Sequence, residues 1–141
     1  MTDFLDPELL VDTSVAVALS IADHEGRAAS LSTVDGKRIG LAGHAAFETF
    51  SVLTRLPGPA RRTPTAVGRL LAANFPYSRF LDEEATAAVL GRLAETGIAG
   101  GAVYDALVAA VSAHHQVPLA TRDVRALRTY RAFDVEVVVI R

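Results

Sequence analysis

Residues 8–23 read ELLVDTSVAVALSIAD, and the fold turns on how this stretch divides. Leu9, Leu10 and Val11 make an apolar run too short for a helix, and Asp12 closes it. The residues after it begin with Thr13 and Ser14 and continue in helix formers. A strand therefore runs straight into a helix. Working outward, the same alternation recurs. Residues 26–34 suit a helix, 38–42 (RIGLA) a strand, and 44–56 a helix stopped by Pro57-Gly58-Pro59. Pro64 opens a helix over 64–73, and 77–81 is a short strand candidate. Residues 82–95 form a helix with acids in its first turn and Gly97 behind it. A helix over 102–115 follows, then a strand at 118–121 (PLAT), a helix over 123–130 and the β-branched strand 135–140 (VEVVVI). Strands separated by helices pair in parallel and are covered on both faces. The expected fold is a three-layer α/β/α domain spanning residues 1–141, with a central, mostly parallel, twisted sheet of four to five strands.

Composition narrows the chemistry. The 141 residues contain no Cys, so disulfides, thiolate catalysis and cysteine zinc sites are excluded, and the four His (24, 44, 114 and 115) lack the spacing of a zinc motif. Any metal would be held mostly by oxygen. Charged residues interrupt every apolar segment before it reaches the roughly 18 residues of a membrane span, and the N-terminus lacks the pattern of a secretory leader, so a cytoplasmic protein without a membrane partner is expected. The formal charge of −2, from 14 basic and 16 acidic residues, does not mark a nucleic-acid binder. Of the basic residues only Lys37 is Lys, a bias that high-GC codon usage explains as readily as phosphate binding.

Acids at strand ends matter in such a sheet, because ligands bind beyond the carboxyl ends of the strands where their order reverses. Asp12 ends the first strand and Asp123 follows PLAT; each suits a helix N-cap as well as a site. Asp105 is different. It sits in GGAVYDALVAAVSAHH (100–115), where its own helix face carries Val108, Ala109 and Ser112 and no basic residue at i+3 or i+4. Its charge must be met by an Arg from another element, by the positive end of its helix, or by a cation. Glu48, in HAAFETFSVLTRL, shares a face with His44, Ser51, Val52 and Arg55 and reads by pattern as a solvated side chain. Asp3, Asp6, Asp23, Asp35, Glu83, Glu84, Glu95, Asp134 and Glu136 fall where solvation explains them. Arg125 and Arg128, flanked by Arg122 and Arg131, form a stripe on the last helix that an exposed face accounts for. His114-His115 at a helix C-terminus favours the dipole.

Four acids in the contexts LLVDTS, AAFETFSVL, GGAVYDALVAA and PLATRD, in that order, resemble the signature of PIN-domain ribonucleases, and among them the VapC-type toxins of bacterial toxin–antitoxin pairs. The resemblance spans nearly the whole chain. It implies a PIN-like fold in which Asp12, Glu48, Asp105 and Asp123 meet at the carboxyl edge of the sheet to bind Mg²⁺ or Mn²⁺ and hydrolyse RNA. It further implies orienting roles for Thr13, Ser14 and Thr121, a homodimer, and a protein antitoxin whose C-terminal segment covers the site. On that reading a cation shared with three other carboxylates meets the charge of Asp105. Three other readings compete: a PIN nuclease of RNA processing, a non-enzymatic α/β scaffold, and a haloacid-dehalogenase-like phosphotransferase. The last needs a second Asp where this chain has Ser14.

Overall fold

The computed structural model describes residues 5–141, so Asp3 lies outside the described residues. Strand β1 (Leu9–Val11) passes through Asp12 directly into helix α1 (Thr13–Ser20). Helix α2 (Arg27–Val34), strand β2 (Ile39–Leu41) and helix α3 (His44–Thr54) follow. After a 3₁₀ turn at Gly58–Ala60 come α4 (Pro64–Asn74), α5 (Glu83–Thr96) and α6 (Ala102–His115). Strand β3 (Leu119–Thr121), a 3₁₀ turn at Val124–Ala126, helix α7 (Leu127–Ala132) and strand β4 (Val137–Val139) complete the order. Local chemistry sets the helix ends. Thr63 caps α4 ahead of Pro64, and Asp82 caps α5 by accepting the Ala85 N–H at 2.8 Å. Among the described residues no helix is long and apolar enough to cross a membrane.

The four strands form one parallel sheet in the order β2-β1-β3-β4. Side-chain alternation divides their apolar residues between two layers of core. Leu10 of β1, paired with Leu119 of β3, shares a core with α5, α6 and α7 through Val89, Val108, Ala109 and Tyr130. Leu9 and Val11 belong to the opposite face, with Leu41, Ala120, Val15, Ala16 and Val34. From β1 the chain moves to β2 on one side and later to β3 on the other. The order therefore reverses between β1 and β3, and the carboxyl ends of those two strands flank the crevice such a reversal leaves.

Two elements differ from their sequence reading. Residues 77–81 form no strand. Instead residues 76–79 follow the free edge of β2, with isolated bridges at Pro76 and Arg79. Pro76 has no N–H to give a ladder, and the Ser78 hydroxyl takes the Leu41 N–H at 2.8 Å in place of a backbone carbonyl. The crossing is close enough that a Cβ on Gly40 would meet the Tyr77 carbonyl carbon at 2.1 Å. The second difference lies at 123–130, which splits into the 3₁₀ turn and α7. Arg125 and Arg128 consequently belong to different elements, and the Arg122 guanidinium turns away to lie over Gly26.

Candidate active site

The strand side of the crevice is built around Asp12. As N-cap of α1 its Oδ1 accepts the Val15 N–H at 3.2 Å and the Ser14 hydroxyl at 2.6 Å, while Oδ2 accepts the Tyr130 hydroxyl at 2.8 Å. Asp12 is 3% exposed. Burial raises its proton affinity, and the hydroxyls of Ser14, Thr121 and Tyr130 with the Val15 N–H pull it back. Ser14 in turn accepts the Arg122 N–H at 2.8 Å, tying the end of β1 to the end of β3. The buried Thr121 hydroxyl accepts the Asp123 N–H at 3.0 Å. Asp123 then accepts the N–H of Arg125 at 3.0 Å and its Nε at 3.3 Å.

Glu48 and Asp105 come from helices and have fewer partners. Gly43 brings the two helices together: its φ of 50° admits few side chains, and a Cβ there would meet Val111 Cγ2 of α6 at 2.5 Å. Five residues on, Glu48 faces the same crevice, 3.6 Å from His44 Nε2. Burial raises its proton affinity first, His44 opposes this, and Asp12 adds to it. Asp105 has no hydrogen-bond or ion-pair partner among those found for the described residues. Burial first, then the carboxylates of Asp123, Glu48 and Asp12, push it up to about 6; Arg125 offsets only part.

All four acids, with Thr13, Ser14 and Tyr130, border one crevice of about 80 Å³. A larger hollow of about 530 Å³ lies between α5 and α6 around Val89, Arg92 and Phe133, and none of the four acids borders it. The donors suit a hard divalent cation: carboxylate oxygens, plus the buried Thr13 Oγ1, which has no hydrogen-bond partner. Among the described residues, however, no three carboxylate or imidazole groups already surround one point as a formed cage. Glu48 is engaged by His44 and Asp123 by Arg125, so a shared ion would compete with those partners.

Thr13, Ser14 and Thr121 all stand on the strand side, Ser14 and Thr121 as hydrogen-bonded struts. Tyr130 had no place in the sequence reading of the site. Its signal was a hydroxyl on the apolar face of the last helix, four residues after Ala126, where a buried Tyr needs a polar partner. His44 was visible at i−4 of Glu48, but nothing in the pattern marked it as that residue's partner.

The PIN domain family matches residues 9–132. The chain belongs to the PIN-domain family. It is 45% identical over 135 residues to Ribonuclease VapC27 of Mycobacterium tuberculosis (strain H37Rv), covering 96% of this chain and 98% of that relative. Over 131 residues it is 42% identical to Ribonuclease VapC40 of the CDC 1551 strain, covering 92% and 96%. FitAcB from Neisseria gonorrhoeae superposes with a TM-score of 0.65 at 19% identity, over 92% of this chain and 95% of that one. VapBC2 from Rickettsia felis, bound to a DNA fragment from their promoter, gives 0.62 at 13% identity, over 94% and 98%. At such identities these two structures bear on the fold alone. The parallel sheet and its covering helices are thus a PIN fold in which the four acids occupy the β1/β3 switch crevice.

Proposed function

We propose that this PIN domain is a Mg²⁺- or Mn²⁺-dependent endoribonuclease, the toxin of a toxin–antitoxin pair, with Asp12, Glu48, Asp105 and Asp123 holding the metal. The observation that carries the metal reading is Asp105. It is a carboxylate pushed up to about 6 by burial and three neighbouring acids, with Arg125 offsetting only part of the shift. When bound, a divalent ion supplies the positive charge that makes a water more acidic and steadies charge gathering on a phosphate. The chain's own residues divide the remaining work. Asp12 is held in one orientation by Ser14, Val15 and Tyr130, which fixes the carboxylate at the end of β1 without help from an ion. Thr121 and the Asp123 backbone hold the second strand end in register with it. Glu48 and Asp105, on two helices, close the opposite wall.

The near full-length likeness to the two mycobacterial ribonucleases supports RNA as substrate and the toxin role. A protein antitoxin covering the crevice and a homodimeric toxin belong to the same reading. In a purified preparation, cleavage of single-stranded RNA should require Mg²⁺ or Mn²⁺ and stop in excess EDTA; undiminished cleavage in chelator would overturn the metal mechanism. Expressed alone in a bacterial host, the chain should arrest growth, and Asp105→Asn at matched protein level should not. Equal arrest by both would separate toxicity from this crevice.

A further inference from the structure

Tyr104 has no part in the chemistry above, and its ring lies against that of His44, the partner of Glu48. Their centroids are 4.9 Å apart with planes inclined by 18°, a stack that bridges α6 and α3. Each ring is tied to one of the helix-side acids. Tyr104 precedes Asp105 in the chain, and His44 Nε2 lies 3.6 Å from Glu48 Oε1. Tyr130, committed to Asp12, is buried at 2% exposure, whereas Tyr104 remains 51% exposed beside its stacking partner and keeps ring surface free for a ligand. Three residues after His44, the exposed Phe47 meets Phe80 edge to face at 6.3 Å, so aromatic surface continues along α3.

Building on the ribonuclease reading, we infer that the Tyr104–His44 stack is a base-stacking subsite, which holds one unpaired nucleobase of the RNA beside the phosphate to be cut. Electrostatics favours this kind of anchor here. Four carboxylates repel phosphates, and a Lys or Arg reaching among them would compete with the metal for the same oxygens. Arg125 is already engaged by Asp123 at 3.3 Å. Stacking needs no charge, accepts any base through its π face, and requires that the base be out of a duplex. It therefore selects single-stranded or looped RNA and fixes the distance from base to crevice. Tyr104 is a positioning residue in this scheme, not a group that touches the reacting atoms.

The test is an abasic walk. The wild-type cut in a short single-stranded RNA is mapped first. A series of the same oligonucleotide, each with one abasic ribose at successive positions around the cut, is then assayed with wild type, Tyr104→Ala and Tyr104→Phe, each verified as folded by circular dichroism. In wild type one position next to the cut should lose about tenfold in kcat/KM, within the range of base–aromatic stacking. Tyr104→Ala should lose about as much on the intact RNA, chiefly as a higher KM, and should be insensitive to the abasic ribose at that position. Tyr104→Phe, which keeps the ring, should restore the sensitivity. An abasic penalty of the same size in Tyr104→Ala as in wild type would overturn the subsite, as would wild-type activity of Tyr104→Ala on intact RNA. So would loss of activity accompanied by a changed mass in sedimentation, which assigns the ring to a protein interface. Failure of the wild-type chain to cut any RNA with metal present removes the ribonuclease reading itself, and the subsite with it.

Discussion

The two walls of the crevice hold their carboxylates by opposite means. On the strand side Asp12 receives three hydrogen bonds from Ser14, Val15 and Tyr130, and Asp123 receives two from Arg125. These acids are worked into helix caps and strand junctions, so the fold depends on them. On the helix side Glu48 has only His44, and Asp105 is raised to about 6 by burial and neighbouring acids. That side carries repulsion which the fold alone leaves uncompensated. On the proposed metal reading, a bound cation would draw on both properties, with one wall offering oriented carboxylates and the other unmet negative charge. The difference also explains why capping and site roles need not compete at Asp12: it performs the first while remaining placed for the second.

Substitutions can break the two walls separately. The largest expected effect is common to both: on the proposed reading Asp12→Asn and Asp105→Asn should each lower RNA cleavage by more than about a hundredfold, because each would remove a charge from the proposed metal site and not merely a supporting partner. Single-turnover cleavage of a labelled RNA measures this, and retention of near wild-type rate by either variant would remove that residue from the site. Next comes stability. Asp12→Ala strips the α1 cap and leaves the buried Tyr130 hydroxyl unpaired, a loss of about 2 kcal/mol after allowing for relief of a buried charge. Tyr130→Phe removes one of those bonds and should cost about 1 kcal/mol. Urea unfolding checks both, and equal stability of wild type and Asp12→Ala would contradict a strand side built on this carboxylate.

How much of this was legible in the sequence follows from how local each signal is. The passage from β1 through Asp12 into α1 needs only a short apolar run, a capping residue and helix formers, all contiguous, and it was readable. Asp105 stood out because its helix offers no cation at i+3 or i+4. Glu48 did not, since α3 alone presents an ordinary polar face; its partial burial and the nearness of Asp12 arise where other elements of the fold meet α3, and those are tertiary contacts. The Tyr130–Asp12 bond joins residues 118 positions apart, and no periodicity encodes such a distance. Residues 77–81, read as a strand, mislead for a related reason. They have strand-like composition, but residues 76–79 run beside β2 through a Ser78 hydroxyl and two isolated bridges, a detail fixed by the edge they cover.

The smallest expected effect concerns pH in metal-free protein. Asp105 binds its proton more tightly folded, at about 6, than at its ordinary value of 3.8. The stability linked to it is therefore fully present below the unfolded value and is lost as pH rises through about 6. With solvent screening of this half-exposed group, the loss is on the order of 1 kcal/mol. Unfolding free energy measured in EDTA from pH 4 to pH 7.5 should fall less steeply in Asp105→Asn than in wild type. An identical slope in the two proteins would remove Asp105 from the repulsive cluster.

The most direct test of a cation site with one fixed and one repulsive wall is the melting temperature of wild type and Asp105→Asn at pH 7.5, each in EDTA and in millimolar Mn²⁺. Without metal the variant should melt at or above wild type, since a repelling charge is gone. With Mn²⁺ the wild type should gain several degrees through preferential binding to the folded state, and the variant should gain little. A wild type unmoved by Mn²⁺, or a variant that melts many degrees lower in EDTA, would contradict it and make Asp105 a structural residue.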